Sequence, residues 1–233
     1  MLVNAIDIGI LSTHAAMDVL NKLGPKFERA HGCRLSFGYD PAKAVKRQVE
    51  NGAAFDVAIV TRPVFDDLVA QGKMLAEPRG DVGRSGLGLS VRKGAAKPDI
   101  STTDTFKRTL LAAKSVVRST EGTSGIYFDK LLHRLGIAEA MRDKIVPGPS
   151  GRVAELVARG EGEMAVQQIP ELLPVAGADY VGPFPPELQL FSEFVAGVAT
   201  ATKHRDVAAA FVKMLTTPEA AKLFETAGIG PAA

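Results

Sequence analysis

The chain has 233 residues, 46% of them hydrophobic and 23% charged, and its net charge at pH 7 is +2. This balance is typical of a globular protein with a core of its own, and it argues against a disordered chain. The small net charge, the lack of Trp and the absence of long basic runs argue against nucleic acid as a partner. No apolar stretch of about 20 residues is available to span a membrane. The single cysteine, Cys33, excludes an intramolecular disulfide.

The first third of the chain alternates strand and helix three times. Apolar, β-branched segments predict three strands, at 5–11, 34–39 and 56–60. Helical periodicity predicts three helices, which begin at Ser12–Thr13, Pro41 and Pro63 and end at Gly32, Gly52 and Gly72. We expect Gly24-Pro25 to kink or restart the first helix, because proline removes an amide donor and clashes with the preceding turn. Three consecutive βα units predict a parallel sheet.

The middle of the chain begins with a different pattern. Leu87, Leu89 and Val91 alternate with smaller or polar residues, which predicts a long crossover strand within GRSGLGLSVRKG. A second βα set follows, with strands predicted at 115–117, 144–146 and 164–168. Helices are predicted from Ser101, where Asp104 suggests a capping box, at 126–135, and from the GPSG segment to Gly160. A last long strand at 187–200 precedes two helices at 206–215 and 218–227.

Polar loops follow several of the predicted strands, at the position where open α/β sheets bind their ligands. These loops are 12–13, 40–43, 61–62, 118–125 and 147–152. Unpaired amides and the helix dipole favour an anion there, and hydroxyl groups could donate further hydrogen bonds. The hydroxyl-bearing candidates are Ser12, Thr13, Ser119, Thr120, Ser124 and Ser150. Each of them could instead only cap its own helix.

Four arginines lie in or next to these loops: Arg62, Arg84, Arg118 and Arg152. A guanidinium group pairs bidentately with a carboxylate or a phosphate, so any of the four could hold an anionic ligand. Each could equally be a solvated surface charge. We take Arg118 as the first candidate.

Signatures of catalysis are mostly missing from the sequence. Neither GxSxG nor GxxxxGK[ST] occurs, and the GxG at Gly86–Gly88 lacks the third glycine of a dinucleotide fingerprint and precedes a strand. The histidines, at positions 14, 31, 133 and 204, are not spaced as ligands of one metal. We therefore expect no metal and no cofactor. Among the histidines only His14, beside Ser12, is a candidate for a functional role.

Five segments carry a resemblance to a known family. They are RQVENGAAFDVAIV at 47–60, LGLSVRKG at 87–94, EGTSGIYFDKLLHRLG at 121–136, VARGEGEMAVQQ at 157–168 and AAAFVKMLTTPEAAKLFETAG at 208–228. In their order the chain resembles the periplasmic solute-binding proteins of ABC importers, specifically the molybdate-binding-protein-like family with the type II periplasmic-binding fold. The resemblance extends over nearly the whole chain.

The resemblance implies an α/β protein of two lobes, each a mostly parallel sheet flanked by helices, joined by two crossover strands. We expect residues 1–82 plus 195–233 to form lobe I and residues 83–194 to form lobe II, with a ligand cleft between them. The segments 86–92 and 189–200 would be the hinge strands about which the lobes close.

The resemblance also implies how a ligand would be held. Members that bind molybdate hold the oxyanion with hydroxyls and amides, including two serines and a tyrosine. Ser12 matches the first serine, but the second falls near Ala42 and the tyrosine at Gln168. An organic carboxylate, held by Arg118 or Arg84, is therefore comparable to molybdate as a candidate. The complete candidate set is Ser12, Thr13, Arg62, Arg84, Arg118, Ser119, Ser124, Gly125, Ser150, Gly151 and Gln168.

The leading hypothesis is a monomeric substrate-binding protein that captures a small anion for an ABC-type membrane permease. Its location would be periplasmic if a signal peptide was removed and cytoplasmic otherwise. Some proteins that look like this subgroup are carboxylate isomerases, so an aconitate-isomerase-like proton transfer is the alternative, with His14 or Glu121 as the base. A cytosolic ligand sensor is a third option.

Overall fold

The computed structural model of the protein describes residues 6–149 and 151–232. The chain divides into two compact units, which we call unit 1 and unit 2. Unit 1 combines Met1–Arg84 with Ser192–Ala233, and unit 2 is Ser85–Phe191. Each unit contains a five-stranded sheet with helices packed against it, which confirms the predicted two-lobed α/β fold.

The first part of unit 1 consists of alternating strands and helices. Its elements are β1 (Ile6–Ser12), α1 (Met17–His31), β2 (Cys33–Tyr39), α2 (Ala42–Glu50), β3 (Val57–Thr61), α3 (Arg62–Ala70) and β4 (Met74–Ser85). A short 3₁₀ turn, His14–Ala16, precedes α1. Because β1 pairs in parallel with both β2 and β3, the three carboxyl ends lie on one edge of the sheet. The predicted parallel arrangement of these three strands is confirmed.

Unit 2 has a second sheet built on the same plan. Its elements are β5 (Leu87–Arg92), α4 (Thr103–Ala112), β6 (Val116–Ser119), α5 (Thr123–Arg134), α6 (Ala138–Met141), β7 (Ile145–Gly148), α7 (Ala154–Arg159), β8 (Met164–Gln168), α8 (Ile169–Leu172) and β9 (Ala178–Pro183). The strand order is β7-β6-β8-β5-β9. β6 is parallel to β7 and β8, whereas β5 is antiparallel to β8 and β9.

The chain then returns to complete unit 1. The returning elements are β10 (Ser192–Ala199), α9 (Arg205–Met214) and α10 (Pro218–Thr226). β10 lies antiparallel to β3, and it is inserted between β3 and β4 in the order β2-β1-β3-β10-β4. The sheet of unit 1 is therefore mixed, and it needs strands from both ends of the chain.

Apolar side chains on both faces of each sheet hold the elements in place. In unit 1, Phe27 of α1 meets Phe211 of α9 edge to face, with ring centroids 5.0 Å apart. On the other face of the sheet, Phe65 packs with residues of α2 and α3. In unit 2, Phe106 and Phe184 have centroids 4.7 Å apart. Burial of one such ring contributes about 2–3 kcal/mol, so these clusters fix the strand ends that carry the polar loops.

The first helix differs from its prediction. α1 runs without interruption from Met17 to His31 although Pro25 lies inside it, so the predicted restart at Gly24-Pro25 is wrong. Val19, Leu20, Leu23 and Phe27 are buried on one face, and this packing outweighs the lost backbone hydrogen bond. The predicted end of the helix is confirmed, because Gly32 has a left-handed φ of 61°.

The predicted long crossover strand is two strands, β4 and β5, which are separated at Gly86. The side chain of Gln189 packs on Gly86 and pairs with the backbone of Leu87: its Oε1 accepts from Leu87 N at 2.7 Å, and its Nε2 donates to Leu87 O at 3.0 Å. An amide side chain thus replaces a strand partner at this point. The predicted strand 187–200 is correspondingly shorter, since it begins only at Ser192.

Two helix starts also differ from their predictions. α4 is capped by Thr102 and Thr105, whose hydroxyl groups accept from each other's backbone amides, and not by Ser101 and Asp104. α5 begins at Thr123, three residues earlier than predicted. The helical turn in α5 therefore already includes Ser124 and Gly125, two of the candidate site residues.

Candidate functional site

The carboxyl edge of β1 in unit 1 contains the first candidate residues. Ser12 ends β1 and is fully buried, and its hydroxyl donates to Thr13 O at 3.1 Å. The backbone here is tied to both neighbouring strands, since Thr13 N donates to Ile59 O and Asp40 N donates to Ser12 O, each at 3.0 Å. This edge is consequently fixed before any ligand arrives.

The hydroxyl of Thr13 is the unusual group at this edge. Thr13 is only 6% exposed, and its Oγ1 has no hydrogen-bond partner among the described residues. A buried hydroxyl without a partner costs about 1–3 kcal/mol, and native structures seldom leave one unexplained. His14 follows directly and is half-buried in the 3₁₀ turn. Thr13 is therefore a group whose partner a bound molecule could supply.

The two candidate arginines of unit 1 have different positions. Arg62 begins α3 and contacts two carboxylates: its Nη2 lies 2.8 Å from Asp81 Oδ1, and its Nε donates to Glu193. These hydrogen bonds, chiefly the one to Glu193, raise the pKa of Arg62. Arg84 is exposed in β4, and its backbone pairs with Gly230 in both directions. Arg62 thus lies at the carboxyl edge but is already neutralised by carboxylates of its own unit.

In unit 2 the carboxyl end of β6 lies beside that of β7. Ser119 pairs in register with Gly148, and Ser119 Oγ accepts from Gly122 N at 3.0 Å. The next residue, Thr120, donates to Gly148 O through its amide at 3.2 Å and through its hydroxyl at 3.3 Å. The hydroxyls of Ser119 and Thr120 therefore stabilise the loop, and neither of them caps α5, whose N-cap is Gly122. Glu121 is exposed in the same loop.

The start of α5 is pressed against the end of β6. A Cβ atom on Gly125 would lie 1.8 Å from the carbonyl oxygen of Ser119. Ser124 is 4% exposed. Only glycine permits this close approach, so the backbone of α5 is held directly at the strand end.

Arg118, the first candidate among the arginines, points along α5. Its Nε lies 3.0 Å from Asp129 Oδ1 and its Nη2 2.9 Å from Asp129 Oδ2, a bidentate ion pair, and its Nη1 donates to Ser119 O at 3.3 Å. The side chain of Arg118 is 18% exposed. A ligand carboxylate at Arg118 would have to share it with Asp129.

The loop after β7 is supported from beneath by Gln167, which sequence reasoning missed. Gln167 is 2% exposed; its Nε2 donates to Gly151 O and its Oε1 accepts from Val153 N at 3.0 Å. Gln168 ends β8 and is 7% exposed. Ser150 lies outside the described residues.

Glu171, in α8, was also missed. Desolvation of its carboxyl raises the pKa of Glu171 to about 8, against the opposing effects of the Arg152 charge and a hydrogen bond with the Gln167 side chain. Although the residue as a whole is half-buried, its carboxyl is thus withdrawn from water. Arg152, Glu171 and Gln167 form a polar support under the 151–153 loop. The only sequence signal for it was a pair of glutamines at the end of an apolar strand.

The candidate residues therefore form two groups, one in each unit. Ser12, Thr13, His14 and Arg62 lie at the carboxyl edge of β1 and β3. The second group lies at the carboxyl ends of β6, β7 and β8 and comprises Arg118, Ser119, Glu121, Ser124, Gly125, Gly151 and Gln168. No cluster of three potential metal ligands occurs among residues 6–149 and 151–232. In the same part of the chain, no helix has the length and apolar character needed to cross a membrane.

Comparison with known proteins adds family information to this geometry. Residues 8–230 match the family model described as Bacterial extracellular solute-binding protein. An aconitate isomerase of a Pseudomonas species is 32% identical over 228 residues, which cover 95% of this chain and 87% of that protein. A Bacillus subtilis (strain 168) protein, provisionally named the ABC transporter substrate-binding lipoprotein YvgL, is 24% identical to this chain. That alignment covers 96% of this chain and 86% of the Bacillus protein.

Among solved structures, the periplasmic molybdate-binding protein of Azotobacter vinelandii has a TM-score of 0.80. The alignment covers 97% of this chain and all of that chain, at 18% identity. The likeness shows a shared fold, that of the periplasmic binding proteins.

Proposed function

The chain belongs to the bacterial extracellular solute-binding protein family, and from this premise we propose that it captures a small anion for an ABC-type importer. The anion would be an oxyanion such as molybdate or an organic carboxylate. The polar groups at the carboxyl edges of the two sheets would hold it, with Ser12 and Thr13 in unit 1 and the 119–125 and 151–153 loops in unit 2. Its enclosure in a cleft between the lobes stays a prediction.

The observation that supports this proposal best is the buried Thr13 hydroxyl without a partner at the end of β1. An anion at this edge would accept a hydrogen bond from it and relieve the cost of its burial.

An organic carboxylate is favoured over molybdate by the side chains present. Ala42 is 6% exposed and has no hydroxyl, and Gln168 occupies the position of the tyrosine that the resemblance implied. Each of the two lost hydroxyls would have donated to an oxyanion. We propose that a di- or tricarboxylate, which presents more oxygens over a larger area, fits this edge better.

The partner and the location follow from the relatives. A relative that is 24% identical carries the name of an ABC transporter substrate-binding lipoprotein, and the family that this chain matches is described as extracellular. We therefore propose a membrane permease as the partner and the periplasm or the outer cell surface as the location. The protein would bind its anion as a monomer, without a cofactor.

Replacing Thr13 by valine tests the site. A valine of nearly the same shape removes the unsatisfied hydroxyl, so we expect the melting temperature of the free protein to stay unchanged or to rise. The stabilisation by the anion should fall, with a Kd about three- to tenfold weaker because one hydrogen bond is lost. Thermal shift titrations with molybdate, sulfate, citrate and the two aconitate isomers provide both values.

Thr216→Val is the matched control, since the hydroxyl of Thr216 is exposed and donates only to Lys213 O within its own turn. It should leave anion binding unchanged. A parent protein that no oxyanion or carboxylate stabilises would falsify the proposal.

The 32% identity with an aconitate isomerase favours a second function, the isomerisation of a carboxylate. Such a reaction removes a proton from one carbon of the unsaturated acid and returns a proton to another, so it needs a base near the bound substrate. His14 lies directly after Thr13, and Glu121 lies in the loop between β6 and α5. We propose these two residues as the candidate bases.

Turnover separates the two functions. If the protein is an isomerase, proton NMR should show the trans isomer growing in a solution of cis-aconitate, and His14→Gln or Glu121→Gln should slow this about 100-fold or more. Glu155→Gln, on the exposed side of α7, is the control that should keep full activity. Tight binding of cis-aconitate without conversion would reject the isomerase and leave the binding protein.

A further inference from the structure

A cavity of about 670 Å³ opens in unit 1 at the opposite edge of the sheet from Ser12 and Thr13. It lies at the amino ends of β1 and β3 and beyond the end of β10, and we call it the amino-end cavity. Three loops form its walls: 52–56 before β3, 72–73 before β4 and 200–204 after β10. Its volume is within the range of small-molecule sites.

The walls of the amino-end cavity are joined by hydrogen bonds that do not depend on a ligand. The Asp56 carboxylate accepts from Gly9 N at 2.8 Å and from the Thr202 hydroxyl. Ala199 N donates to Asp56 O at 2.9 Å, and Thr200 N donates to Lys73 O at 3.0 Å. The three loops are thus connected into one frame, so the cavity is already formed in the free protein.

The charges on the walls leave a surplus of positive groups. Asp7 is paired with Arg34, whose Nε lies 2.9 Å from its carboxylate, whereas Asp56 accepts hydrogen bonds from two uncharged donors and keeps its negative charge. Lys73 and Lys203 line the same cavity, and among the described residues neither has an acidic partner within ion-pair distance. The two ammonium groups outnumber Asp56, the one carboxylate on the described walls without a cationic partner, so the walls keep a net positive charge that attracts an anion.

The rest of the lining is partly polar, at Thr200, Thr202 and His204, and partly apolar. Val49, which is 2% exposed, contributes to the wall together with Ala53, Ala54, Phe55 and Ala199. An inorganic ion would leave this surface empty, whereas a molecule with an apolar body would cover it and gain about 25 cal/mol for each Å² removed from water. The positive groups and the apolar wall together favour a ligand with an apolar body and an anionic group.

We propose that the amino-end cavity is a second ligand site, which binds a small organic anion with an apolar body. The anionic group lies between Lys73 and Lys203, and the body packs against Val49 and Phe55. This site is separate from the carboxyl edge to which the proposed function belongs, so either can fail without the other.

Two fluorescent probes of nearly the same shape test the proposal: the anion 8-anilinonaphthalene-1-sulfonate and its uncharged analogue N-phenyl-1-naphthylamine. The sulfonate should bind the folded protein more tightly, and it should shift the amide NMR signals of Ala53, Thr200 and Lys203. Replacing Lys73 and Lys203 together by glutamine should weaken the sulfonate's Kd about three- to tenfold, since exposed charge pairs contribute little individually. The Kd of the neutral probe should not change.

Lys213→Gln combined with Lys222→Gln, at exposed positions of α9 and α10, controls for the loss of two positive charges, and it should not affect either probe. Ala201→Trp fills the cavity mouth and should abolish binding of both. The proposal is overturned if both probes bind equally and the double variant binds the sulfonate like the parent. Amide shifts confined to other parts of the protein would overturn it as well.

Discussion

Replacing Glu171 by glutamine is expected to stabilise the protein at pH 8 and to leave its stability unchanged below pH 4.5. Burial raises the pKa of Glu171 from its ordinary 4.5 to about 8. Between these two values the folded protein keeps a proton that the unfolded chain has already lost. The free energy of unfolding of the parent therefore falls as the pH rises through this window.

Glutamine has nearly the shape of the protonated acid and cannot ionise. The free energy of unfolding of the variant therefore does not fall in this pH window. A shift of about 3.5 pH units corresponds to nearly 5 kcal/mol in the limit, and partial access of water reduces it to about 2–4 kcal/mol at pH 8. In a protein of this size that difference raises the melting temperature by about 5–10 °C.

Thermal unfolding of both proteins at several pH values between 4.5 and 8.5 measures the effect. The two melting temperatures should converge at the acid end and separate as the pH rises. Glu155→Gln is the matched control, because Glu155 is exposed on α7 in the same unit, and its curve should follow the parent throughout. Parallel curves for Glu171→Gln and the parent would show that the Glu171 carboxyl is not held in its protonated form.

Gly125→Ala is expected to destabilise unit 2 by more than about 3 kcal/mol. The new Cβ would lie 1.8 Å from Ser119 O and 2.8 Å from Ser119 C, and both of these atoms belong to the backbone. No side-chain rotation relieves such a clash, so the start of α5 has to move away from β6. That movement separates the 119–125 loop of the candidate anion site from the 151–153 loop. We therefore expect binding of the anion to be lost together with stability.

Gly182→Ala is the control for this change. Gly182 lies in β9 of the same unit, and the nearest atom to its added Cβ would be Ile100 Cδ1, at 3.8 Å. We expect an effect within about 1 kcal/mol there. Chemical denaturation of the two variants gives the comparison, and equal stability would mean that α5 and β6 do not depend on their close contact.

Much of the architecture was accessible from sequence because several elements have strong periodic patterns. Met164–Gln168 is a run of buried residues with turn signals on both sides, and the strand occupies the predicted positions. β9 was missed because all but the last of its residues are half-buried, so it shows no alternation between an apolar and a polar face. Local patterns identify strands that have a clearly apolar face and miss a strand such as β9 that has none.

The positions of the candidate site residues were also accessible, but their partners were not. Ser12 and Ser119 are the last residues of β1 and β6, one or two residues beyond the predicted strand ends at 11 and 117, so their predicted place at a strand end is nearly right. The carboxylate that engages Arg62, Glu193, lies 131 residues away in the sequence. No local pattern can indicate such a contact, and the sequence therefore suggested free arginines where the structure has ion pairs.

The polar support beneath the 151–153 loop was hidden for a related reason. Gln167 and Gln168 are adjacent in β8, and the alternation of side chains in a strand sends them to opposite faces. Only the sheet order, with β8 next to β6, shows that Gln167 contacts Gly151 and Val153.

The insertion of β10 between β3 and β4 has a consequence for synthesis of the chain on the ribosome. All five strands of unit 2 lie within residues 85–191, so that sheet can close while the C-terminal segment is still being made. Unit 1 cannot close until residues 192–199 have emerged. Until then the strand Val57–Thr61, buried along most of its length in the finished protein, has an unpaired edge. During synthesis the sheet of unit 2 can therefore be complete while unit 1 still has an open strand edge, the kind of edge that favours aggregation.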